Sequence, residues 1–237
     1  MVWAHSNRDQ TVGMIGRLSF ASALAFLAIV PQARAHPHVF IEMTSDVVFN
    51  DAGLINAINV EWVFDPDYSA MATEDLDVNK DGMLTTDELE PLAKENIDNL
   101  KEWSYFVYGR LNGEKMKWAD VTDYGQLMGD DGRLRMHFVV PFLKPVDPRT
   151  SEFIYRIYDP TFYIAIDFVG KEPVEALGNK PQSCRIEVRP VPDPNQTEDT
   201  KAMLATKGKE WTPDQEDDFG IMFAQPVAVV CKKGAAG

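Results

Sequence analysis

One stretch of twelve residues constrains this chain more than any other: Asp77-Val-Asn79-Lys-Asp81-Gly82-Met83-Leu84-Thr85-Thr-Asp-Glu88. Side-chain oxygens fall at its first, third, fifth and twelfth positions, with glycine at the sixth. Calcium is a hard ion that takes six to eight oxygens. A loop of this length supplies them from Asp77, Asn79 and Asp81, from the Met83 carbonyl and from both oxygens of Glu88. Gly82 permits the bend around the ion, and Thr85 at the ninth position can add its hydroxyl or hold a water. This is the spacing of an EF-hand loop, which needs a helix on each side. Asp65-Pro66 forms a good cap and first helical residue, with Tyr68, Met71, Ala72 and Leu76 following at helical spacing. Beyond the loop, Leu89, Leu92, Ala93, Ile97, Leu100 and Trp103 form an apolar stripe. A helix–loop–helix is therefore expected over residues 65–104. The acidic, Gly-rich run 123–131 lacks the order of a second loop. An unpaired loop points to the weak range of about 10⁻⁴–10⁻³ M and a structural role.

The rest of the chain reads as strands. Residues 38–64 alternate apolar and polar side chains on either side of Asn50-Asp-Ala-Gly53, the pattern of a hairpin. Further strands are expected at 105–111, 116–121, 133–142, 152–158 and 162–169. A loop with a short helix near 201–206 is expected across 190–218, and a closing strand across 219–230. The expected fold is α+β, a β-rich antiparallel sheet domain over 36–237 with an inserted EF-hand-like helix–loop–helix.

Residues 1–35 read as a signal peptide. The uncharged run 18–30 is too short to span a membrane, which takes about 20 apolar residues, and Ala33-Arg-Ala35 suits a signal peptidase. Translation from Met14 would give a leader of more usual length than translation from Met1. Cleavage would make His36 the new N-terminus and leave no stable membrane insertion. Removing Arg8, Arg17, Arg34 and Asp9 takes the net charge from −14 to −16. That acidity excludes nucleic acid as a partner, because a phosphate-binding face needs surplus Lys and Arg. Export also permits a disulfide, and the chain has two cysteines, Cys184 and Cys231, both in strand-like runs. A bridge pinning the C-terminal strand is the expected use; two free thiols or a metal pair are the alternatives.

His36 and His38 lie two residues apart on an extended segment and so share a face, with Glu42 on the same face. Imidazoles suit zinc, nickel and copper. Pro37 has no amide proton to lose, which rules out a square-planar chelate through backbone nitrogens. The set is then closer to zinc's preference. His137 is a further candidate ligand. No Gly-x-Ser-x-Gly, phosphate-binding loop or Cys–His pair is present, so the chain is expected not to be an enzyme.

Four runs carry a resemblance: His36-Pro-His-Val-Phe-Ile41; Trp62-Val-Phe-Asp65 with Ser69; Tyr158-Asp-Pro-Thr-Phe-Tyr-Ile-Ala165; and Phe219-Gly-Ile-Met-Phe-Ala224 ending at Cys231. In this order the chain resembles a family of bacterial periplasmic proteins labelled as the periplasmic component of an uncharacterised ABC-type transport system. Members are encoded beside, or fused to, permeases of the nickel/cobalt exporter type, and some are linked to zinc acquisition. One departure is Glu42, where the family pattern has Asp. The resemblance implies a periplasmic partner of an inner-membrane metal permease. The leading expectation is thus an exported accessory of zinc, nickel or cobalt transport that also binds Ca²⁺. The alternatives are a calcium-stabilised interaction module without a transition-metal site, and a secreted copper enzyme, for which no second active-site group is found.

Overall fold

Alternation of buried and outward residues makes the first two elements, strict in the first and broken in the second by the buried pair Ala57–Ile58. In β1 (Val39–Phe49) every odd residue is buried and every even one is turned outward. β2 (Ile55–Phe64) returns antiparallel to it. Between them Asn50 Oδ1 accepts from the amides of Ala52 and Leu54, and Gly53 takes φ +72°, a value that favours glycine. The structure, a computed structural model, describes residues 37–191, 193–207 and 218–232. All belong to the unit 33–237, the second of two into which the chain divides. The expected leader, with its two possible start positions and His36, lies outside the described residues.

Asp65 ends the hairpin and starts α1 (Pro66–Ala72). Its Oδ1 accepts from the Tyr68 amide and its Oδ2 from the Phe40 amide, both at 2.9 Å. α2 (Thr86–Glu102) starts with a reciprocal capping box: the Glu88 amide donates to Thr85 Oγ1, and the Thr85 amide donates to Glu88 Oε2. Its Leu89, Ala93 and Ile97 are buried. The chain then continues as β3 (Val107–Leu111), β4 (Glu114–Lys115), β5 (Tyr124–Met128), β6 (Leu134–Val146), β7 (Phe153–Ile157), β8 (Ile164–Phe168), β9 (Val174–Gly178), β10 (Cys184–Val188), α3 (Pro194–Leu204) and β11 (Val227–Cys231).

These strands form two sheets. The first runs β5-β6-β2-β1-β8, with β9 also on β1, and the second runs β10-β11-β7-β3-β4. One buried cluster draws on both, including Met43, Trp62 and Phe138 from the first and Phe153, Tyr155 and Val227 from the second. The sheets are also joined by a buried hydrogen bond between Ser45 Oγ and the Tyr155 hydroxyl, 2.8 Å apart. Burial drives the Tyr155 pKa far above its usual value. Cys184 and Cys231 sit opposite each other on β10 and β11 and form a disulfide.

The expected fold needs correction on two counts, although α+β holds in the broad sense. The first is the sheet: there are two, and the larger is mixed, because β1 pairs parallel with both β8 and β9. Parallel pairing requires a long crossover, and the chain between β1 and β8 contributes β3, β4 and β7 to the second sheet on the way. The second is the inserted EF-hand-like helix–loop–helix. The structure has only three α-helices among the described residues, and α1 stops at Ala72, five positions before Asp77. The Thr73 hydroxyl bonds back to the Ser69 carbonyl at 2.8 Å, and Asp75 adopts φ +66°. Both features close the helix early, so no helix leads directly into the loop.

Candidate functional site

Within residues 77–88 the oxygen side chains are folded onto backbone amides. Asp77 accepts from Asp81 and Gly82 at 3.2 and 2.9 Å, Asn79 accepts from Asp81, and Asp81 accepts from Met83. Gly82 takes φ +82°, which lets the chain reverse. Glu88 closes the loop: its Oε1 accepts from the Val78 amide at 3.2 Å. The Thr85 amide and hydroxyl, followed by the Val78 amide, hold the Glu88 carboxyl below its ordinary pKa. Its contribution to the cap is therefore complete above the ordinary glutamate range and fades as the pH falls through the depressed value. Thr85 is committed to this cap. Among the described residues no three His, Cys, Asp or Glu side chains stand together as a preassembled metal cluster.

The expected transition-metal residues are spread out. The His38 amide donates to the Tyr163 carbonyl at 2.8 Å, and its ring lies 4.8 Å from the Tyr163 ring. Glu42 is ion-paired with Arg133 at 2.9 Å, and Arg133 also donates to the Phe64 and Val63 carbonyls. His137 stands on β6 opposite Glu61 of β2, which is opposite Thr44 of β1. That row lies six residues from His38 and two strands across, or roughly 20 Å along the sheet and 10 Å sideways. The His137 ring instead covers Gly125, where a Cβ would come within 2.7 Å of it.

Three of the sequence runs quoted above meet around a cavity of about 900 Å³ between β8, α3 and residues 219–225. Phe162 and Phe223 stack there at 3.8 Å, with Lys201 5.9 Å from the Phe223 ring. The buried Asp159 carboxylate accepts from the Thr161 amide and hydroxyl and from the Ile164 amide, which shapes the turn into β8. Gly220 lies so close to this turn that a Cβ would fall 1.9 Å from the Asp159 carbonyl oxygen. Tyr158 donates to Asp218 at 2.9 Å. Burial, and then the Asp218 charge, push the Tyr158 pKa far up. Pro37 and Phe40 complete one wall. The cavity joins aromatic faces to a few polar groups, the make-up of a small-molecule site. Tyr158, Phe162 and Phe223 belong to the runs quoted above, whereas Thr197 lies in the stretch expected as loop and Lys201 at the start of the short helix expected there.

The sequence profile of a family described as "Protein of unknown function (DUF1007)" matches residues 21–231. An "Uncharacterized protein" of Haemophilus influenzae is 26% identical over 202 residues, covering 84% of this chain and 92% of its own length. An "Uncharacterized 15.5 kDa protein in trpE 3'region" of Spirochaeta aurantia is 33% identical over 100 residues, covering 42% of this chain and 70% of its own.

Proposed function

Since the chain belongs to the DUF1007 family, we propose that it acts in the periplasm as a non-enzymatic accessory of a zinc, nickel or cobalt transport system, and that residues 77–88 take a structural calcium ion. The permease partner is what the family resemblance implies. Export through a cleaved leader is supported by the disulfide, which persists in oxidising compartments. Among the described residues no helix is long and apolar enough to cross a membrane.

The observation that carries the calcium reading is the closed loop, with Glu88 reaching back to the Val78 amide. The donors suit the ion. A carboxylate or amide oxygen that accepts one amide proton keeps a second lone pair. Asp77, Asn79 and Asp81, the Met83 carbonyl and Glu88 Oε1 supply five oxygens in this way, and Glu88 Oε2 becomes the sixth, the lower end of calcium's six to eight, when the Thr85 hydroxyl releases it. Bound calcium would neutralise the clustered carboxylates and fix the start of α2. Calcium at about 100 times its Kd is expected to stabilise metal-free protein by about 2.7 kcal/mol. Thermal melts should show that gain in the wild type and none in Glu88→Gln. An equal gain in the variant would remove the loop from consideration.

A second reading, a calcium-braced interaction module without a transition-metal site, is favoured by the engagement of Glu42 with Arg133 and by the remoteness of His137. Calorimetric titration of processed protein with zinc and nickel separates the two. The accessory reading expects binding that His36→Ala/His38→Ala abolishes. Undiminished binding in that double variant would exclude the N-terminal histidines.

A further inference from the structure

The outer face of the second sheet gathers cations in a chain whose net charge is −14. Pairing of β3 with β7 sets Arg110 opposite Ile154 and Tyr108 opposite Arg156. Arg110 and Arg156 therefore share a face as diagonal neighbours, about 7 Å apart at their backbones. On the other side of β7, the Arg189 amide donates to the Pro226 carbonyl at 2.8 Å and brings a third guanidinium alongside. The three arginines line one cleft of about 150 Å³, with Glu152 as the one carboxylate on its wall among the described residues.

Two of these cations have no carboxylate partner among the described residues. Among the described residues neither Arg110 nor Arg156 takes part in an ion pair. Arg110 spends one donor on the Gly113 carbonyl at 2.7 Å. Arg189 shares Glu187 with Arg185. The Arg156 Nε is buried with no hydrogen-bond partner among the described residues, an uncommon state for a buried donor. A planar guanidinium fork matches the paired oxygens of a carboxylate or phosphate. The cleft has room for about five waters at ~30 Å³ each, which suits one such group and excludes a drug-sized body.

We propose that this cleft binds a single oxyanionic group, the phosphate or carboxylate of a small ligand, with Arg156 as its central donor and Arg110 and Arg189 at its flanks. The site is independent of the calcium loop and of the N-terminal histidines. It can be tested by following the arginine Nε–Hε signals by NMR while the full chain is titrated with inorganic phosphate, acetate and chloride at matched ionic strength. Phosphate or acetate, but not chloride, is expected to shift the Arg156 signal in a saturable way. Affinity is expected to fall at least about tenfold in Arg110→Gln and in Arg156→Lys, which keeps the charge but loses the fork. Arg149→Gln, whose guanidinium pairs with Asp147 away from the cleft, should bind as the wild type does. Equal shifts with chloride, or unchanged affinity in both Arg110→Gln and Arg156→Lys, would overturn the proposal.

Discussion

Replacing Cys184 and Cys231 together by serine is expected to cost about 4 kcal/mol of folding stability. The two residues are 47 positions apart, and closing a loop of that size removes about that much chain entropy from the unfolded state. The position of the bridge adds to the consequence. β11 lies between β10 and β7, an interior place in the second sheet, and the disulfide fastens its last residue to the first residue of β10. Without it, β11 keeps its backbone pairs but loses the tie that limits fraying at its last residue. Urea unfolding of the oxidised wild type, the reduced wild type and the double variant measures the effect. The last two should agree. A loss below about 1 kcal/mol would show that the unfolded chain is already compact there.

The second large effect belongs to Phe138→Ala, with an expected loss of about 3–5 kcal/mol. Phe138 is fully buried in the middle of β6, opposite Val60 on one side and Tyr124 on the other. Its ring and that of Trp62 form a T-shaped pair with centroids 4.9 Å apart. Truncation therefore removes a ring from a place where two sheets and α2 press on the same cluster, and no single element can move to fill the gap. Leu127→Ala on the neighbouring strand is the control, since Leu127 is 46% exposed and should change stability by less than about 0.5 kcal/mol. If Phe138→Ala behaved like the control, the cluster would not be the organising core.

The parts of the fold that could be read from sequence are those whose cause is local. β1 and β2 follow from alternation and a four-residue turn, and α2 from its stripe and its cap. The parts that were missed lack a local cause. β5 and β9 are five residues each, and β5 contains Gly125 and a buried Gln126, so no apolar alternation marks it. Of α3 only the end is expected, as a short helix near 201–206; its first turns carry the same Asp-Pro start as α1, but the helix buries Thr197, Thr200 and Leu204 and shows no apolar stripe. The run 219–230 is apolar enough for a strand, yet only Val227–Cys231 pairs. Its first part makes a 3-10 turn at Gly220–Met222 that packs on the Asp159 turn.

The same division applies to the sites. The loop residues could be named because they are consecutive. Arg110, Arg156 and Arg189 could not be grouped, because only strand pairing brings them together. His38, Glu42 and His137 share a sensible chemistry, but Glu42 has found Arg133 and the register sets His137 well apart from His38. Strand register is a long-range property, and residue types alone do not carry it.

The parallel pairing of β1 bears on the order in which the molecule can assemble. Val39 faces Ile164, more than half of the 237-residue chain away. As the nascent chain emerges, β1 can find β2 at once, but its other edge must wait for β8 and β9. Closing such a long loop is entropically slow. During that delay the hairpin presents a bare row of amides and carbonyls, the template on which chains cross-pair. A chaperone that holds the growing polypeptide would therefore act on the first forty residues of the fold, and dilution should improve the yield of refolding more than any change near the C-terminus.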